Sequence, residues 1–462
     1  MPWPWLLGAL CLLILMALFR GPHREEPRSA AGPAGTNPTG SAEDEQFSAG
    51  WRARKFATTV PRASEPTAEE IVAGKVIQFG RSRREIVRSI ARRTQKPIPA
   101  EVEEFFDAIE SGDWERIHAL GKWLGKRSGQ YDYDGTPHWP ELDPFWPAVL
   151  DAYGVAEQAH LWPAQKLLDY GNSILDSLRP GMVYVGGTDP GRWIPELLNE
   201  TSGGDPHIIV TQNAFADSRY LEFMQTLYGE RFSALTQEES KRAFDAYVAD
   251  AQKRWEHDQQ FPDEPKQLRP GEKVGMTDGK FQVTGQVSVM DINERLLRIL
   301  MEKNPDLTFA IEQSFPFKST YDAATPLGPI MELGVRDEQR ALTAERATQT
   351  VDYWRAATEQ LLSDANGPVL DEDLRKAHSK LAASHADLLL NRGYTAEAEQ
   401  LLRFAAQIAP SSPEAVFNYT SLLVGQNRAA DAIPIAESAL RVDPGNRQFR
   451  DLLAELRRLR RN

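Results

Sequence analysis

With 462 residues the chain is too long for one ordinary core. Its formal net charge of -13 argues against a general nucleic-acid binder, because neutralising phosphates needs an excess of clustered Lys and Arg. The single cysteine, Cys11, lies in an amino-terminal apolar run, so the rest of the chain can build neither a disulfide nor a cysteine metal site.

That run, Trp3 to Phe19, would be roughly 25 Å long as a helix and carries Trp3 and Trp5 as interfacial anchors. No Lys or Arg precedes it and no small-x-small cleavage site follows. Residues 1–20 therefore read as an uncleaved transmembrane anchor and the protein as single-pass. The side of the membrane stays open. Arg20, Arg24 and Arg28 favour keeping the bulk of the chain in the cytoplasm, while the absence of cysteine after Cys11 leans extracytoplasmic. Residues 21–66, rich in Pro, Gly, Ala, Ser and charge, read as a disordered tether.

A small helical unit is expected over 67–128. Its first helix runs from Ala68 to Arg93 and breaks at Lys96-Pro97-Ile98-Pro99; two more follow over 100–112 and 113–127, with Gly112 and Asp113 as stop and cap. Phe105, Phe106, Ile109, Trp114, Ile117, Leu120 and Leu124 can supply its core. His118 has no partner at ligand spacing and reads as a helix-face histidine. The basic residues Arg81, Arg83, Arg84, Arg88, Arg92 and Arg93 form either a solvated face on an acidic neighbour or a contact for a membrane or polyanion.

An α/β domain is expected over 144–335. Strands are predicted at Met182 to Val185, His207 to Thr211 and Leu307 to Ile311, with a late one at Pro329 to Leu333. Helices fall between them, over 190–199, 214–228, 237–255 and 289–303. The alternation predicts a Rossmann-like α/β fold whose largely parallel sheet is covered on both faces. The turn after the first strand raises the question of a phosphate cradle. Gly186, Gly187 and Gly191 miss the dinucleotide spacing, and no Walker lysine follows. Asp189 ahead of Pro190 predicts a helix cap, which would use the free amides and repel an anion. No cofactor is expected.

In a parallel sheet the loops after the strands converge on one edge. Here they bring Thr188, Asp189 and Arg192 after the first strand, Gln212, Asn213 and Asp217 after the second, and Glu312, Gln313, Ser314 and Lys318 after the third. Such a cluster could hold a sugar, a small polar metabolite or a hydrated cation. Alternatively Asp189 and Asn213 cap helices, Arg192 pairs with an acidic neighbour, and nothing binds. No histidine falls at these strand ends and no Ser-His-acid or His-x-x-x-His pattern appears, so no catalytic residue and no metal site is assigned.

Residues 338–462 read as all helical, and a repeat can be counted there. Ala398, Ala405 and Pro410 recur 34 residues later as Ala432, Ala439 and Pro444, while Gly393 recurs as Asn427. This pattern resembles the tetratricopeptide repeat (TPR), with copies over 379–412 and 413–446 and a closing helix. The resemblance implies a module that binds a protein or peptide partner; a pair this short could also only extend the core of the α/β unit. The stretches "LRPGMVYVGGTDPGRW", "HIIVTQNAFADSRYLEFMQTLYG" and "SFPFKSTYDAATPLGPIMEL" resemble the soluble region of bacterial membrane proteins similar to protein O-mannosyltransferases. That likeness suggests an extracytoplasmic domain and implies no activity. The sequence thus describes a membrane-anchored TPR scaffold. The alternative is a small-molecule-binding domain or enzyme acting at the strand-end loops.

Overall fold

The computed structural model describes residues 65–129, 136–187, 189–204, 206–215, 217–269, 271–277, 279–312, 323–363 and 372–460. Helix α1 spans Ala68–Thr94 and opens on a capping box: Glu70 N donates to the Thr67 hydroxyl, and Thr67 N donates to the Glu70 carboxylate at 2.9 Å. Val72, Val76, Phe79, Val87 and Ile90 form its buried stripe. The opposite side lies on α2 (Ala100–Ser111), where Arg84 meets Glu103, Asp107 and Glu110, and Arg81 meets Glu110 at 3.0 Å. Arg81, Arg84 and Arg88 are thus matched by an acidic neighbour, as the first of the two sequence readings has it, while Arg83 turns to other carboxylates. Gly112, at φ 69, ends α2, and the Asp113 side chain caps α3 (Trp114–Arg127).

Two further helices, α4 (Trp146–Leu161) and α5 (Ala164–Leu175), are separated at Pro163. A sheet follows, built from β1 (Val183–Gly186), β2 (Ile208–Thr211), β5 (Phe309–Ile311), β6 (Thr325–Leu327) and β7 (Ile330–Leu333) in the order β2-β1-β5-β7-β6. Every residue of β1, β2, β5 and β7 is buried. Successive side chains point to opposite faces, so both faces of these strands are covered. Between β1 and β2 runs α6 (Asp189–Glu200); between β2 and β5 run α7 (Ser218–Tyr228), α8 (Gln237–Gln260), the hairpin β3 (Lys273–Thr277) and β4 (Lys280–Thr284), and α9 (Gln286–Lys303).

The fold class expected from the sequence needs correction here. Only β2, β1 and β5 are parallel; β7 pairs antiparallel with β5 (Phe309 opposite Leu333), and β6 pairs antiparallel with β7 (Thr325 opposite Glu332). The sheet is mixed and the molecule mostly helical, not Rossmann-like. No helical segment among the described residues links β5 to β7, and a parallel neighbour would need such a crossover.

A second correction concerns the membrane. Among the described residues no helix is long and apolar enough to cross one. The longest of them, α1, carries Glu69, Glu70, Lys75, Arg81, Arg84, Glu85, Arg88, Arg92 and Arg93 outside its buried stripe. The single-pass membrane assignment is therefore withdrawn; the anchor expected over 1–20 lies outside the described residues, as does the tether expected over 21–66 except for its last two residues.

The carboxyl-terminal third is α10 (Ala344–Ser363), α11 (Glu372–Asn391), α12 (Thr395–Ile408), α13 (Pro413–Gly425), α14 (Ala429–Val442) and α15 (Arg447–Leu459). Ala398, Ala405, Ala432 and Ala439 are fully buried, and α12 and α14 each end two residues ahead of Pro410 and Pro444. The turns inside the two helix pairs use Gly393 at φ 84 and Asn427 at φ 61, a left-handed conformation that Gly and Asn tolerate best. This region is fastened to the sheet. Trp354 Nε1 donates to His385 Nδ1 at 2.8 Å; the protonated Nε2 of that ring then donates to the Ile330 carbonyl of β7, also at 2.8 Å.

Candidate functional site

The strand-end edge begins with the turn that joins β1 to α6. Gly187 N donates to Glu312 Oε2 at 2.7 Å, and Tyr184 donates its hydroxyl proton to the Gly191 carbonyl at 2.6 Å. A Cβ on Gly191 would stand 2.0 Å from the Glu312 carboxyl, so glycine is what lets that carboxylate rest on the first turn of α6. The positive end of the helix is thereby occupied by the protein's own anion, which disfavours phosphate there. The sequence assigned this role to Asp189. Instead Asp189 is the first residue of the helix, and its carboxylate accepts no hydrogen bond from the described residues.

Asp189 is exposed at the rim. Even so, the surrounding protein desolvates its carboxyl enough to raise its pKa, with Arg192 and Lys380 opposing the rise. Glu157 of α4 lies within electrostatic reach. Its pKa is raised by desolvation and further by the charge of Asp189, and it accepts a hydrogen bond from the Tyr153 hydroxyl at 3.0 Å. In the repeat, Lys380 of α11 meets Glu414 of α13 at 3.3 Å. Desolvation would lower the Lys380 ammonium, but Glu414, then Glu312 and Asp189, hold it above its usual value.

The other predicted residues divide. Arg192 turns inward to pair with Asp151, in a buried cluster that also holds Glu196, Glu200 and the fully buried Arg83. Asp217 caps α7, accepting from Arg219 N at 2.9 Å, and pairs with the Arg219 guanidinium. Gln212 is 2 % exposed, and its Oε1 has no partner among the described residues. Asn213 lies in a single 3-10 turn after β2. Thr188, Gln313, Ser314 and Lys318 lie outside the described residues.

Sequence reasoning missed Glu157, Lys380 and Glu414. For the last two a signal existed, because they stand one 34-residue period apart and so share one face of the paired helices α11 and α13. Further along that face Asn418 Nδ2 donates to both Asp387 oxygens at 3.2 and 3.3 Å.

The tetratricopeptide repeat family model matches residues 389–456. The carboxyl-terminal region is thus shown to carry a tetratricopeptide repeat. No curated protein and no solved structure matches the chain. The likeness to proteins similar to protein O-mannosyltransferases therefore finds no support.

Proposed function

We propose that the protein acts in protein-protein interaction, binding a peptide segment of its partner along the α11–α13 face. The observation that carries this reading is the repeat itself, matched over 389–456, with a polar row running along one side of its helices. Lys380, Glu414, Asp387, Asn418 and the half-buried Ser421 form that row. They offer donors and acceptors for a peptide backbone, while the partly exposed Leu422 and Val424 offer apolar contact beside them. Long-range attachment through His385 supports the same reading, because a recognition face gains when its supporting helices are held rigid.

The test is selection of peptides from a random dodecapeptide display library on the immobilised full chain, followed by affinity measurement with the enriched peptides. Asn418→Trp fills the face and should weaken binding at least about tenfold, a loss of about 1.4 kcal/mol. Ala396→Trp, at an exposed position of α12, should leave it unchanged. Equal affinity for both variants, or no enrichment at all, would overturn the reading.

A further inference from the structure

We infer that the buried joint between α1, α4 and α6 is a binding site for one proton, held on Glu196 at neutral pH and given up in alkali.

The first support is a charge count inside a closed cluster. Among the described residues, Asp151 of α4 and Glu196 and Glu200 of α6 meet two cations, Arg83 of α1 and Arg192 of α6. The side chains of Arg83 and Asp151 have no exposed surface, and that of Glu196 is 4 % exposed. The neighbours do not make up the difference. On α1, Lys75 is spent on the carbonyl and hydroxyl of Thr201, at 3.1 Å each. On α7, Tyr220 accepts from Thr211 N at 2.8 Å, Tyr228 bonds both backbone groups of Ile209, and Phe223 offers Arg83 its ring. Asp189, within reach of Arg192, adds to the negative side. Fully ionised, the cluster would carry net negative charge where water cannot solvate it, and a group so placed neutralises instead.

Hydrogen bonds decide which carboxyl takes the proton. Glu200 receives two from Arg83, at 2.5 and 2.7 Å, one on each oxygen. Asp151 Oδ1 receives one from Arg192 Nη2, and its Oδ2 stands 3.4 Å from Arg83 Nε. Glu196 Oε1 receives one from Arg83 Nη2 at 2.8 Å, but its Oε2 is 3.7 Å from Arg192 Nε. That oxygen, like Asp151 Oδ2, is buried and has no hydrogen-bond partner among the described residues. Two open carboxyl oxygens bracketed by the same two guanidiniums are what a proton on Oε2 resolves, because it turns one acceptor into a donor. Neighbouring carboxylates that cannot both ionise share a proton in this way. Desolvation, and after it the charge of Asp151, hold the Glu196 carboxyl well above the usual range. The folded chain thus keeps a proton that an unfolded glutamate releases near about pH 4.3. Stability from this site is full below that value and is lost as pH rises, until the folded carboxyl ionises.

The experiment uses the full chain. Infrared spectra at pH 7 should show the carbonyl stretch of an un-ionised carboxyl in the difference between the wild type and Glu196→Gln, whose amide keeps both the shape and a donor. Asp151→Asn restores the balance of charge, so it should lose the same band although Glu196 is intact. In urea titrations the ratio of the wild-type to the Glu196→Gln folding constant should fall about tenfold for each pH unit from pH 5 to pH 7, the slope of one proton. His385 is present in both chains and cancels from that ratio. A difference spectrum without the band, a band that survives Asp151→Asn, or a ratio that stays level with pH would overturn the inference.

Discussion

Two joints hold the molecule together, and they are made of opposite materials. Where α1 and α4 meet α6, the contact is ionic: Arg83, with no exposed surface, reaches Glu196 at 2.8 Å, Glu200 at 2.5 Å and Asp151 at 3.4 Å, while Arg192 closes the cluster from the other side. Where the repeat meets the sheet, the contact is neutral: the indole of Trp354, the imidazole of His385 and a backbone carbonyl. Buried ions are costly to desolvate and strongly destabilising when half removed. A chain of neutral hydrogen bonds is cheaper to bury but loses its meaning once the imidazole gains a proton. The two attachments should therefore fail under different conditions.

The largest effect is expected at the ionic joint. Arg83→Met would leave Asp151, Glu196 and Glu200 facing Arg192 alone, at a cost of about 3–5 kcal/mol. A urea midpoint read from tryptophan fluorescence should fall accordingly. A shift below about 1 kcal/mol would mean that the cluster tolerates the loss by taking up protons.

Acid should separate the joints next. Burial lowers the His385 pKa to about 4, with its hydrogen bond to Ile330 working slightly against the shift. An unfolded histidine titrates near 6.5. Between those values the unfolded chain binds a proton that the folded chain refuses. Stability from this site is therefore full above pH 6.5 and falls by about 1.4 kcal/mol per unit until about pH 4. Glu196 has the opposite sign. Desolvation, then the charge of Asp151, holds its carboxyl well above the usual range against the pull of Arg83. The folded state then binds the proton more readily, and acidification from neutral pH relieves that joint. Urea titrations at pH 7 and pH 5 should show a weaker repeat attachment at pH 5, a difference reduced in His385→Asn. An unchanged pH slope in that variant would show that the histidine does not couple the two regions to pH.

The smallest effect sharpens the neutral joint. Trp354→Phe keeps the ring but removes the donor, leaving His385 Nδ1 buried and open, and should cost about 1–2 kcal/mol in thermal melts. No loss would mean that apolar packing alone seats α11 on β7.

Neither joint is visible in the sequence, because Arg83 and Glu196 are separated by 113 residues and Trp354 and His385 lie on different helices. Local signals did better. Thr67 with Glu70 marks the start of α1, Gly112 with Asp113 marks the junction of α2 and α3, and the alanine-proline spacing marks the repeat. Strand direction was the main failure in the fold. Ile330 to Leu333 is an apolar run buried on both faces, and such a run reads alike in parallel and antiparallel sheets. The missing cue was Leu327-Gly328-Pro329-Ile330, a tight turn with Gly328 at φ 58. The β3–β4 hairpin was missed although Asp278-Gly279 lies between its strands, a strong two-residue turn signal. At the candidate site the strand-end argument did bring Asp189 and Glu312 to one place. Its alternative, Arg192 paired with an acidic neighbour, is what the structure shows, and Asp217 caps α7; what it could not foresee is that Lys380 of α11 comes within electrostatic reach of Asp189 and Glu312.

The carbonyl that receives His385 belongs to β7, which lies between β5 and β6 and pairs with both. A partner pulling on the repeat therefore transmits its tension to the middle of a three-strand antiparallel ribbon. An edge strand can be unzipped one hydrogen bond at a time. A middle strand must shear two ladders together, so the repeat is moored where the sheet yields last.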